Sequence, residues 1–206
     1  MYNESSVSPE IETLDPNCAF CQRSAFADQI LKETPAFRII ADHAPLVAGH
    51  LLIVPRSHYT CYGDVPARLD DELLALKQEV QRFFLRYYEP TVFWEHGVFH
   101  QTVFHAHLHA FPFAETHYDP AKNLHALTVS TQEDIRTWYN SHGQYFYLED
   151  SHNAFLFAPQ QETYQYIIRN VLWPSALARN KQTAALPSAL RQKLSPNVQM
   201  LAVVKA

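Results

Sequence analysis

Val103-Phe104-His105-Ala106-His107-Leu108-His109-Ala110-Phe111 puts histidine at alternate positions of an otherwise apolar run. Such a run reads as a β-strand, on which residues i, i+2 and i+4 share one face at about 6.6–7 Å per step. His105, His107 and His109 then line one face, while Ala106, Leu108 and Ala110 turn toward an apolar face covered by helix. A row of imidazoles in an apolar setting must give up charge or find partners, so it makes a chemical surface rather than a packing solution. One metal cannot gather all three. The outer pair would have Cα atoms about 13 Å apart on a regular strand, whereas zinc needs nitrogens within about 2.1 Å. Two of the three could share a metal, so the histidines are expected to divide their labour.

Upstream, Ala36–Asp42 reads as a strand, His43–Gly49 as a turn, and His50–Pro55 as a second strand whose near-continuous apolar run implies burial on both faces. Leu69, Leu73, Leu76, Val80, Phe83 and Tyr87 recur at helical spacing and predict a helix over 66–88, with Asp70, Asp71 and Glu72 in its early turns and Pro90 as its stop. Thr91–Glu95 reads as a third strand and His96–Gln101 as a loop. Downstream come a short helix over 131–139 with Ser130 and Glu133 at capping-box spacing, a hairpin of Tyr145–Glu149 and Ala154–Ala158, and a helix from Glu162 to Leu172 stopped near Pro174. From Ser175 onward the pattern is weak.

The chain has 206 residues, 47% hydrophobic and 18% charged, a globular balance that allows one packed domain with a sizeable extension. A net charge of −5 and the lack of any Lys/Arg run argue against extended DNA or RNA as a partner. A small nucleotide is still accommodated by a local pocket of histidines and backbone amides. The polar, acidic start predicts no secretory leader, and no apolar run of about 18 residues predicts a membrane span. Three cysteines, two of them as Cys18-x-x-Cys21, do not make a disulfide framework, so a reducing, cytoplasmic setting is expected. The Cys-x-x-Cys pair by itself reads equally as redox-active, idle, or half of a zinc site.

The pattern His-φ-His-φ-His-φ-φ resembles the signature of the histidine triad (HIT) superfamily of nucleotide hydrolases and transferases. Gln101-Thr102-Val103-Phe104 resembles that family's lead-in to the triad, and Gly49-His50-Leu51-Leu52-Ile53-Val54-Pro55 resembles its Gly-His strand. Asp42, eight residues before His50, is similar to its ribose-binding acid. The resemblance implies an α+β fold: an antiparallel sheet of about five strands with helices on one face, commonly paired as a homodimer across the long helix. The domain would cover 17–113, after a polar leader at 1–16 and before a C-terminal extension at 114–206.

The resemblance also implies a division of roles. His107 would attack the α-phosphorus of a nucleotide and form a covalent nucleotidyl-histidine, later released by water or another acceptor. His109 and His50 would line the phosphate pocket and handle protons. Gln101 and Thr102 would donate neutral hydrogen bonds, Asp42 would hold the ribose hydroxyls, and Ile40 would help wall the base. Family members with an N-terminal Cys-x-x-Cys resemble zinc proteins, and the implied ligands here are Cys18, Cys21, His58 and His105, a closed structural shell. Cys61 reads as a buried apolar thiol.

One departure stands out. Glu95 occupies the position matched to an Asn or Gln that donates to phosphate, and an ionised carboxylate cannot donate. It is expected to point elsewhere, for instance to pair with a histidine, or to signal an unusual substrate. Two other functions fit the same residues: a non-catalytic nucleotide-binding or signalling module, and a metallohydrolase with its metal at the histidine row.

Overall fold

The computed structural model describes residues 12–113 and 126–185. Residues 1–11 of the expected leader, and 114–125 and 186–206 of the expected extension, lie outside the described residues. Eight strands form one sheet: β1 (Ile30–Glu33), β2 (Phe37–Ala41), β3 (Leu51–Pro55), β4 (Thr91–Glu95), β5 (Leu108–Pro112), β6 (Leu127–Thr128), β7 (Phe146–Glu149) and β8 (Ala154–Phe157). Their order is β1-β2-β3-β5-β4-β7-β8-β6, with every neighbouring pair antiparallel. The helices are α1 (Asp70–Tyr87), α2 (Gln132–His142), α3 (Gln161–Ile167) and α4 (Trp173–Ala185), the last two joined by a π-helical turn at Ile168–Leu172.

The α+β class holds, but the sheet is larger than the five expected strands. The β7–β8 hairpin pairs with the edge of β4, and β6 adds to β8. An unpaired strand edge is a row of unsatisfied backbone groups, and here a downstream segment of the same chain satisfies it. Nor do the helices share one face. Leu73, Leu76, Val80 and Phe84 of α1 and Ile135 of α2 pack with Ile39, Ile53, Phe93, Leu108 and Ala110 on one side of the sheet. Ile167, Val171, Leu172 and Ala176, from α3 to α4, pack with Trp94, Phe111, Phe146 and Phe157 on the other.

The histidine strand is shorter than its alternation predicts. The ladder pairs Ile53 with Leu108, so the next rungs would set Val54 and Pro55 against His107 and Ala106. Pro55 has no N–H to give, and β5 starts only at Leu108. Ala106 N–H donates instead to the Tyr59 carbonyl (2.6 Å). The facing predicted for the run survives: Ala106, Leu108 and Ala110 are in the α1-side core.

Two local readings shift. The capping box of α2 is Thr131 with Asp134, one residue later than expected. Pro174 does not end the downstream helix but sits in the first turn of α4, where a missing N–H breaks no α-helical bond, because the π turn before it already interrupts the ladder. Among the described residues no helix is long and apolar enough to cross a membrane.

Candidate functional site

One row of paired residues crosses the sheet on the face away from α1: Ile40 opposite Leu52, Leu52 opposite His109, His109 opposite Trp94, and Trp94 opposite Leu148. His109 is the polar position at its centre. Beside it, the ring centroid of His107 lies 5.1 Å away, that of His50 5.1 Å, and that of His96 5.9 Å. Burial is the leading cause that pushes the pKa of each below the usual value for histidine: His50 and His96 to about 4, His107 down, and His109 well down. All are neutral near pH 7, so each ring has one N–H and one lone pair, and its partners decide which nitrogen holds which.

For His107 the assignment follows from one contact. Nδ1 lies 2.6 Å from the His105 carbonyl, which can only accept, so Nδ1 carries the proton and the lone pair is on Nε2. For His50, Leu46 N–H donates to Nδ1 (3.3 Å), so Nε2–H donates to His109 Nδ1 (2.9 Å). Asp42 Oδ2 also approaches His50 Nδ1, at 3.5 Å, but that contact is longer and would need the proton on the nitrogen that Leu46 already faces. His109 is left with its proton on Nε2. The row thus presents a nucleophilic lone pair at His107 and a donor at His109.

Gln101 holds this arrangement from below. Its Nε2 donates to the carbonyls of His105 (2.8 Å) and Thr60 (3.1 Å), and its Oε1 accepts from Val98 N–H (3.0 Å). Gln101 N–H is also engaged, with the Val98 carbonyl (3.3 Å). The expected substrate donor is therefore spent inside the protein, and Gln101 positions the carbonyl that fixes His107. The loop it closes is strained: Val98 has φ 80° and His100 φ 57°, each costing on the order of 1–3 kcal/mol. Gly97, at φ 53°, is required, since a Cβ there would lie 2.6 Å from the Tyr145 carbonyl oxygen.

A second cluster forms below the other end of the row. Cys18, Cys21, His58 and His105 bring one ligand atom each within 4.8 Å of one another. His105 Nδ1 lies 3.4 Å from Cys18 Sγ and 3.6 Å from Cys21 Sγ, and His58 Nδ1 lies 3.4 Å from Cys21 Sγ. Tetrahedral zinc with its usual bond lengths would separate sulfur from nitrogen by about 3.5 Å. His105 Nε2–H donates to the Pro55 carbonyl (2.9 Å), which turns the Nδ1 lone pair toward the thiols, as a ligating histidine requires. The residues fit a metal.

The remaining expected residues are less uniform. Asp42 is at the end of β2, its Oδ1 accepting from Ala44 N–H (2.8 Å). Thr102 is exposed. Ile40 is only 1% exposed and lies under Phe26, with Leu52 and Val54, so it backs the wall expected of it rather than lining it. Glu95 faces away from the histidines: its carboxylate accepts from Tyr62 N–H (2.7 Å) and Tyr145 O–H (2.7 Å), and burial raises its pKa to about 7. The β4 residue that does face the row is Trp94, because adjacent residues of a strand point to opposite faces.

Two aromatic residues escaped the sequence reading. Phe20, between the paired cysteines, sets its ring 5.4 Å from His107, and its place inside Cys-x-x-Cys was the available signal. Tyr164 of α3 lies 5.9 Å from His96 and 4.7 Å from His100, and no local pattern marks it.

Residues 23–116 match the family model described as the HIT domain. The chain carries a HIT domain. Solved structures similar to the chain include a HIT family hydrolase from Clostridium thermocellum, 24% identical, covering 48% of this chain and 91% of that one, with a TM-score of 0.41. Another is a HIT family protein from Bacillus anthracis, 18% identical over 61% and 94%, with a TM-score of 0.44. A third is a zinc-bound histidine triad family protein from Mycobacterium smegmatis, 23% identical over 61% and 94%, with a TM-score of 0.40. A comparison with curated proteins returned no match. The HIT domain carries all the histidines of the row, whereas β6–β8 and α2–α4 follow it in the chain.

Proposed function

We propose that the protein is a nucleotide hydrolase or nucleotidyl transferase acting at the α-phosphorus of a nucleotide, on phosphoramidate or dinucleoside polyphosphate linkages. The observation that carries this reading is the 2.6 Å contact of His107 Nδ1 with the His105 carbonyl inside a HIT domain, since it leaves the Nε2 lone pair as nucleophile. A bond forms between Nε2 and phosphorus as the P–N or P–O bond to the leaving group breaks, and the leaving group takes up a proton. His109 Nε2–H stabilises the phosphoryl oxygens or supplies that proton, with His50 fixing its tautomer. Water or another acceptor then attacks phosphorus and frees His107. Asp42 holds the ribose, Thr102 contributes at the rim, Ile40 backs the base wall, and Gln101 positions.

Cys18, Cys21, His58 and His105 would hold structural zinc, whose closed shell ties the N-terminal knuckle to the start of the histidine run and keeps Phe20 against His107. With all three cysteines free, we place the protein in a reducing, cytoplasmic compartment. We take 17–113 as the catalytic domain and 114–206 as an extension, of which the described strands β6, β7 and β8 join the sheet. Leu74 (54% exposed) and Leu85 (65%) on α1 favour a homodimer across that helix, which sedimentation would test.

The test is to trap the intermediate. Incubation with labelled adenosine phosphoramidates and dinucleotides, acid-free quenching and peptide mapping should place the label on His107, and an adduct on any other residue overturns the mechanism. His107→Asn should keep its fold and one zinc per chain while losing all turnover. Loss of metal from that variant would instead favour a metal at the histidine row.

A further inference from the structure

We propose that His100 and Tyr164 form a stacking platform for a planar aromatic leaving group, so that the segment following the HIT domain selects what His107 displaces. The proposal rests on the reading of His107 as nucleophile. The family match offers no guide here, because Tyr164 and its neighbour Gln161 lie outside residues 23–116.

The two ends of the site differ. On the β2–β3 side of His109 lie Asp42 and the Ile40–Leu52 pair, with Phe20 and Phe26 of the N-terminal knuckle beside them. On the opposite side stand Trp94 and, above it, α3. An in-line displacement sends the leaving group away from His107, up from the sheet and past whatever walls stand there. With the nucleoside toward Asp42, the opposite wall is the one from α3. Ring contacts connect that wall to the nucleophile without a gap: His107 to His109 at 5.1 Å, His109 to His96 at 5.9 Å, His96 to Tyr164 at 5.9 Å, and Tyr164 to His100 at 4.7 Å.

The end of this series is built to present a ring. His100 lies tilted by 31° over half-buried Tyr164 yet is itself exposed. It is fixed at both ends, by its left-handed backbone (φ 57°) and by Nε2–H donating to Gln161 Oε1 (2.5 Å). Phe99 closes one side, its ring 4.4 Å from His100 and 5.8 Å from Tyr164. An exposed aromatic side chain already held in one pose loses little freedom when a second ring stacks on it. The ligand class is a planar aromatic group: a second nucleobase or an aryl amine.

The experiment uses the full chain and two adenosine 5′-phosphoramidates, one of naphthylmethylamine and one of methylamine, which share charge and scissile bond. Wild type should show a lower KM for the aryl substrate. His100→Gly, which keeps the left-handed backbone available, and Tyr164→Ala should each raise that KM about tenfold, the size of one stacking contact, with kcat retained. The methyl substrate should be unaffected, and Tyr164→Phe should behave as wild type. Equal losses on both substrates would make the pair a mere brace and overturn the proposal, as would a wild type without aryl preference. If wild type turns over neither substrate, the nucleophile reading is judged separately by adduct trapping with dinucleotides, and calorimetric titration decides the platform: tighter aryl binding, lost in Tyr164→Ala, supports it, and equal Kd values overturn it.

Discussion

At His107, one backbone carbonyl decides which nitrogen carries the lone pair, and Gln101 in turn holds that carbonyl (2.8 Å). Gln101→Ala should therefore lower kcat by up to about 10²-fold, the scale of a small misplacement in the reacting geometry, with KM and the circular dichroism spectrum retained. A loss confined to KM would mean that Gln101 contacts substrate after all. Glu95 gives a second residue-scale prediction, with its carboxyl raised from the usual 4.5 to about 7 by burial. A raised folded-state pKa means that the folded protein holds the proton more tightly. Its contribution is full below about pH 4.5 and is lost as pH rises toward 7, by at most about 3 kcal/mol. Glu95→Gln, which still accepts from Tyr62 N–H and can donate to Tyr145, should gain stability over wild type from pH 5 to pH 8 in thermal melts; a constant difference would refute this. His50 and His96, lowered to about 4 by burial, work in the opposite sense, stabilising above pH 6.5 and failing as pH falls toward 4.

At the scale of elements, the site depends on two short irregular segments. The 96–101 loop passes so close to the start of β7 that Tyr145 N–H donates to the Gly97 carbonyl (3.1 Å). Gly97→Ala would place a Cβ 2.5 Å from the Tyr145 ring and 2.6 Å from its carbonyl oxygen, at φ 53°. We expect destabilisation on the order of 1–3 kcal/mol and slower adduct formation, read by melting and by rate. The N-terminal knuckle is the other segment: its short helical turns at Ala19–Cys21 and Arg23–Gln29 bury only Phe26. Little apolar surface holds it, so metal should. Removal of zinc by a chelator should lower the melting temperature and expose the knuckle to protease, and a knuckle equally protected without metal would argue against the ligand set.

For the whole molecule, the described residues after the HIT domain complete the core. Val92, Trp94 and Phe111 of the HIT domain have their apolar partners in β7, β8 and the α3–α4 segment. Asn180 of α4 donates to the Leu46 carbonyl (3.1 Å), beside His50, and Gln161 accepts from His100, so this segment braces both loops that flank the row. Ile167→Ala, at a position with 0% exposure, should cost about 2–5 kcal/mol in chemical denaturation and unfold the chain in one transition. Two separate transitions would mean that the added segment is an independent unit.

The sequence by itself determined what periodicity and residue chemistry can carry. The alternation of Ala106, Leu108 and Ala110 with histidines set the two faces, the 3–4 spacing set α1, and Cys18, Cys21, His58 and His105 formed the ligand set that the family resemblance implied and that the fold brings together. These signals are local, or reside in residue types with few other uses. Tertiary structure alone decided the rest. Pro55 on a neighbouring strand ends the ladder and keeps His105 and His107 out of β5. The facing of Glu95 depends on Tyr62 and Tyr145, partners distant in the chain. The His107 tautomer is set by a carbonyl whose direction depends on the strained loop and Gln101. Tyr164 reaches the row only because β7 pairs with β4 and carries α3 over that face, and long-range pairing of this kind leaves no periodic trace in the segments it joins.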